Sequence, residues 1–125
     1  MEQRIIVTNN DQVQRKHGGS IQVILLEQGS YVDVLNQARD LIHRGAKLLS
    51  HPMAGSLKPN QTPYRSVLLI KQEQDELDME SLRLIENSIE AAEKFLQIKK
   101  PPNWPPKILE DFKTVDLSIL DSAIK

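Results

Sequence analysis

The sequence predicts a single small α/β domain: a sheet of about four strands, mostly parallel or mixed, flanked by helices and followed by a proline-rich tail. Three observations predict it. Short apolar runs such as Val23-Ile24-Leu25-Leu26 and Val67-Leu68-Leu69-Ile70 have strand length and carry β-branched residues. Around them, apolar residues recur at helical spacing. At 125 residues the chain has room for one core only.

Ile5, Ile6 and Val7 make residues 4–7 the first strand, which Thr8-Asn9-Asn10 stops with turn-favouring and helix-capping residues. Residues 11–17 form a short helix with Val13 as its apolar anchor, closed by Gly18-Gly19. Residues 21–26 are apolar but for Gln22, which predicts a central strand covered on both faces. Ser30 with Asp33 gives a capping box, and Tyr31, Val34, Leu35, Ala38, Leu41 and Ile42 give one helical stripe ending at Gly45.

Residues 46–50 and 65–71 read as the third and fourth strands, an antiparallel pair because no helical pattern joins them. Asp78 caps the longest helix, whose stripe runs through Met79, Leu82, Ile85, Ile89, Ala92 and Leu96. That stripe faces either the sheet or a second copy in a homodimer. Residues 1–100 thus form the α/β domain, and residues 101–125 form a Pro-rich C-terminal extension with a short helix, docked on it. A helix through Leu109 and Phe112 is expected there, with Thr114 capping a further turn or two. Trp104 either pins this tail by burying its ring or faces a partner.

Composition excludes several function classes. Sixteen Lys and Arg against 17 Asp and Glu leave −1, too little positive surplus for a nucleic-acid footprint. No cysteine is present, which removes disulfides, thiolate metal sites and cysteine nucleophiles and suits a reducing cytosol. No apolar run approaches the roughly 20 residues that span a bilayer, and the N-terminus lacks a signal-peptide pattern, so the expected location is cytoplasmic, away from membranes. His17, His43 and His51 lack metal-ligand spacing, and neither a Gly-x-Ser-x-Gly elbow nor a phosphate-binding P-loop occurs. No metal, no cofactor and no catalytic residue is therefore assigned.

The candidate site is the loop 51–64. It is long for a compact domain, and its three prolines stiffen it. His51, Gly55, Ser56, Lys58, Asn60, Thr62 and Tyr64 supply hydrogen-bond donors, one cation and a permissive glycine, with Arg65 just beyond. Such a set suits a small anion, a carboxylate or a phosphate. Ligands of open α/β sheets sit beyond the carboxyl ends of strands. Were the first and third strands parallel neighbours, Thr8, Asn9 and Asn10 would complete the pocket beside His51. The same residues also fit a self-packed loop that tucks Met53 and Leu57 onto the core and satisfies its own backbone.

At these positions the chain resembles the GrdX family, small proteins encoded with the glycine, sarcosine and betaine reductase systems of amino-acid-fermenting anaerobes. The resemblance is carried by Val7-Thr8-Asn9-Asn10 and by Ala38-Arg39-Asp40-Leu41-Ile42-His43-Arg44-Gly45. It is most specific in Leu49-Ser50-His51-Pro52-Met53-Ala54-Gly55-Ser56-Leu57-Lys58-Pro59-Asn60-Gln61-Thr62-Pro63-Tyr64-Arg65-Ser66. It covers the chain up to the fourth strand, while the long helix and the tail add little. The resemblance implies a cytoplasmic accessory of reductive amino-acid metabolism, with a reductase-system protein as its partner, and assigns no catalytic residue.

Three functional readings follow. The first is a non-redox accessory that binds a small anionic ligand at Thr8, Asn9, Asn10 and the loop residues. The second is a protein–protein interaction module using the loop 51–64 or the Trp104 tail. The third is a small enzyme using His51.

Overall fold

Ile5, Ile6 and Val7 are stiff at χ1 and prefer extended backbone, and they build β1 (Arg4–Thr8). The computed structural model describes residues 3–53, 58–72 and 76–125. After β1 come α1 (Asp11–His17), β2 (Gln22–Leu25), α2 (Tyr31–His43), β3 (Lys47–Leu48), β4 (Ser66–Ile70), α3 (Met79–Ile98) and α4 (Pro106–Ile124).

The four strands form one mixed sheet in the order β2-β1-β4-β3. β1 runs parallel to β2, with Val7 opposite Ile24. It runs antiparallel to β4, with Thr8 opposite Ser66. β3 is antiparallel to β4, as the lack of a crossover helix predicted. The first and third strands are not neighbours, because β4 lies between them. Burial explains the order: Val67, Leu68 and Leu69 are almost wholly inaccessible and belong in the middle, whereas β3 contributes only two residues.

β2 corrects a second expectation. It is an edge strand with half-buried side chains, not a central one. Its apolar character on both faces reflects helices that reach over both sides of the edge.

Side chains alternate across the sheet. Val7, Val67 and Leu69 face a layer of α2 and α3, where they join Val34, Leu35, Ala38, Ile85, Ile89 and Ala92. Ile6 and Leu68 point the other way, toward Val13 of α1 and Leu120 of α4. Each of the Val, Leu and Ile side chains among them contributes about 1.5–3 kcal/mol when fully buried. Ser30 and Asp33 form the capping box of α2. Asp78 caps α3 by accepting from the Ser81 backbone N–H. Asn10 caps α1 by accepting from the Gln12 N–H.

The tail departs most from expectation. In place of a short helix and a separate capped turn, α4 is one helix of 19 residues. Thr114 is not a cap: its hydroxyl bonds back to the Glu110 carbonyl one turn earlier, which lets the helix continue. Pro106 at the first helical position sets the start, where its missing N–H costs nothing. α4 is tied to α1 through Lys16 and His17, which meet Asp121 at 2.6 and 2.7 Å. It covers the second face of the sheet.

Candidate functional site

The edge where β1 ends and β4 begins collects most of the polar residues buried in the described part of the molecule. Thr8, Asn9 and Asn10 leave β1 there, and Tyr64, Arg65 and Ser66 enter β4 beside them. A buried relay runs between the two strands. The Asn10 N–H donates to the Thr8 hydroxyl at 2.9 Å, and the Thr8 and Ser66 hydroxyls meet at 2.7 Å. Ser66 spends its only proton on Asp116 Oδ2 of α4 at 2.6 Å, so the Thr8 hydroxyl is the donor to Ser66. Asn10 Nδ2 donates to the same carboxylate oxygen at 3.0 Å and to the Lys113 carbonyl at 2.8 Å. Arg65 closes the set with Nη2 3.7 Å from Asp116 Oδ1 and its guanidinium over the Tyr31 ring. Burial raises the Tyr31 hydroxyl pKa above its ordinary value, with Arg65 pulling the other way.

Asn9 is a staple. Its Nδ2 donates to the carbonyls of Gly29 and Pro63 at 3.0 and 2.7 Å, and its Oδ1 accepts from the Arg65 N–H at 3.0 Å. One side chain thus joins the end of β1, the entry to α2 and the end of the loop.

Two adjoining hollows open to solvent outside this staple. One, of about 330 Å³, is lined by Asn9, Asp11, Glu27, Gln28, Tyr64 and Lys113. The other, of about 410 Å³, shares Asn9, Glu27, Gln28 and Tyr64 and continues along Pro63, Pro101, Pro102 and Trp104. Lys113 stands over the Tyr64 ring at 5.5 Å and pairs with Asp11 at 3.0 Å and Glu110 at 3.3 Å. The Asp11 bond raises the Lys113 pKa, and the same bond lowers that of Asp11. Burial raises the Tyr64 pKa. Trp104 is half-buried, donates from Nε1 to the Gln61 carbonyl at 2.9 Å and packs against Phe112 at 5.5 Å. It pins the tail to the loop.

The sequence-predicted residues divide between this edge and elsewhere. Thr8 and Asn10 are inside the buried relay, and Asn9 and Tyr64 line the hollows. Thr62 is buried and accepts from the Tyr64 N–H. Asn60 donates to the Phe95 carbonyl at the end of α3, and Lys58 lies over the Phe95 ring. His51 is exposed, with Nδ1 accepting from the Met53 N–H. Gly55 and Ser56 lie outside the described residues. Among the described residues, neither His51 nor Lys58 lines the two hollows beside Asn9.

Sequence reasoning missed Asp11, Glu27, Gln28, Lys113 and Asp116. Lys113 and Asp116 are three apart on α4 and so share a face, which was the available signal. Their target depended on how α4 docks. Among the described residues, no helix is long and apolar enough to cross a membrane, and no cluster of His, Asp and Glu has the makings of a metal site.

No curated protein and no solved structure matches the chain. Residues 5–125 do match a family described as GrdX-like protein, so the likeness runs through α3 and α4 and well past the fourth strand, where sequence reading had ended it. A match over essentially the whole chain is decisive: this chain belongs to the GrdX-like protein family.

Proposed function

We propose that this GrdX-like protein is a cytoplasmic, non-redox accessory of glycine, sarcosine or betaine reductase metabolism that binds a small carboxylate ligand beside Asn9. The family supports the metabolic setting, and the absence of cysteine argues against a direct redox role.

The observation that carries the ligand reading is the charge arrangement of the smaller hollow. Among the described residues Lys113 is its one cation, while Asp11 and Glu27 bring two carboxylates to the same walls. A phosphate would meet both acids. A zwitterion fits better, its carboxylate on Lys113 and its ammonium group toward Glu27, with Tyr64 as an apolar wall. The candidate ligand set therefore keeps Tyr64 and replaces Lys58 and His51 with Lys113 and Gln28, while Asn9, its donors spent on Gly29 and Pro63, holds the wall.

A thermal-shift series with glycine, sarcosine, betaine, acetate and phosphate tests this reading. A ligand at 100 times its Kd adds about 2.7 kcal/mol, which is on the order of 10 °C in Tm for a domain of this size. The amino carboxylates stabilise the protein, phosphate does not, and Lys113→Gln abolishes the shift. Glu27→Gln, at an exposed position, weakens the zwitterions and leaves acetate unaffected. An undiminished shift in Lys113→Gln contradicts the reading.

The pinned Trp104 and its neighbours Pro101 and Pro102 support a second reading, a groove that grips a reductase-system protein. Pull-down from a native lysate with Trp104→Ala tests it. A partner lost with the indole, without any small-ligand response, favours that reading over the first.

A further inference from the structure

At the opposite end of the sheet, where β1 begins and β4 ends, a hollow of about 450 Å³ is cut between α2 and the strands. That size falls within the roughly 300–1,000 Å³ of small-molecule pockets. We infer that it is a second ligand site, separate from the groove at Asn9, which takes a carboxylate carried on a short hydrocarbon chain.

The inference rests on how the walls are divided. The floor is apolar: Ile5 is 1% exposed and Ala46 4% exposed, and the half-buried Ile24 and Leu41 complete it. The rim is cationic, with Arg44 at the end of α2 and Lys71 just beyond β4, and among the described residues no acidic one lines the hollow. Among the described residues, neither Arg44 nor Lys71 has an ion-pair partner. Two uncommitted cations above a greasy floor match an anion with an apolar body.

Local structure sets their spacing. Gly45 takes φ 101°, a left-handed value open to glycine, and turns the chain sharply from α2 into β3. Gln72 Nε2 donates to the Gly45 carbonyl at 3.1 Å, tying the strand end that carries Lys71 to the helix end that carries Arg44. The last carbonyls of α2 oppose an anion in principle. Here those of Leu41 and Ile42 already accept from the N–H groups of Arg44, Gly45 and Ala46, so the rim side chains set the local charge.

Hexanoate is the probe, with hexanamide as its uncharged analogue and inorganic phosphate as an anion without a tail. Amide NMR titration of the full chain gives hexanoate shifts concentrated at Ile24, Leu41, Gly45 and Ala46. Affinity falls about tenfold or more for hexanamide and for the Arg44→Gln/Lys71→Gln variant, a factor of ten being about 1.4 kcal/mol. Lys113→Gln leaves hexanoate binding unchanged, which separates this site from the groove at Asn9. Both rim side chains are exposed, and the single variants give the same comparison should the double variant lose its native spectrum. Absence of shifts at these amides overturns the inference, as does equal binding of hexanamide, competition by phosphate at equal concentration, or undiminished binding to the rim variants.

Discussion

Arg65 and Asp116 face each other at 3.7 Å with 2% and 3% of their side chains exposed, joining the start of β4 to the middle of α4. A buried pair of this kind adds little net stability, since desolvation offsets most of the attraction. Its value is in fixing a geometry. Asp116 also accepts from Asn10 and Ser66, so one carboxylate sets where α4 sits, and α4 carries Lys113 to the groove.

Removing half of that pair should therefore be far worse than its net worth suggests. Asp116→Ala removes the carboxylate that faces the buried Arg65 guanidinium and takes one acceptor from Asn10 and the acceptor of the Ser66 hydroxyl. Urea unfolding should show a loss of about 3–5 kcal/mol. A loss below about 1 kcal/mol would mean that Asp116 does not fix the position of α4.

Asn9→Ala removes three hydrogen bonds at once, to Gly29, Pro63 and Arg65. At about 1 kcal/mol each, the cost is about 3 kcal/mol. Hydrogen exchange should quicken together at Gly29 and Arg65, the two ends that the staple joins. Faster exchange at only one of them would show that they are held separately.

Ser30→Ala tests the reading of α2 from its cap. It removes the bond to the Asp33 N–H and should cost about 1 kcal/mol, with a matching fall in Tm. Ser30→Asp, which keeps an acceptor at the cap, should restore most of it.

Stability should fall toward both pH extremes through one contact. Asp11 is held below its ordinary 3.8 by its bond to Lys113, so the unfolded chain takes up that proton first. Its contribution is complete above the ordinary value and is lost as pH falls through the folded-state value. Lys113 is held above its ordinary 10.5, chiefly by the same bond, so its contribution is complete below that value and is lost as pH rises through the folded-state value. Asp11→Asn should flatten both limbs of a stability–pH profile. Flattening of the acid limb alone would point to Glu110 as the main partner of Lys113.

Much of the fold was legible because local signals and burial agreed. Ser30, Asp33 and Gly45 bracket α2 in sequence and in space, and Ile85, Ile89 and Ala92 fall on the buried stripe of α3. The order of strands was less legible. Residues 21–26 are as apolar as a central strand because helices cover both sides, and that pattern does not distinguish edge from centre. Thr8, Asn9 and Asn10 were marked as polar residues at the carboxyl end of β1 and Tyr64 as the end of the loop before β4, and the antiparallel pairing of the two strands brings these segments together. Lys113 and Asp116 were not, because their role depends on the docking of α4, which follows from contacts over a hundred residues apart in sequence, such as that of Asn10 with the Lys113 carbonyl.

The most direct measurement of the central claim is an NMR titration with glycine that follows the amides of Glu27, Gln28 and Gly29, the Tyr64 ring and the Lys113 ammonium group. The account predicts saturable shifts at these positions and their loss in Lys113→Gln. Shifts confined to His51 and Lys58, or none at all up to millimolar glycine, would contradict it.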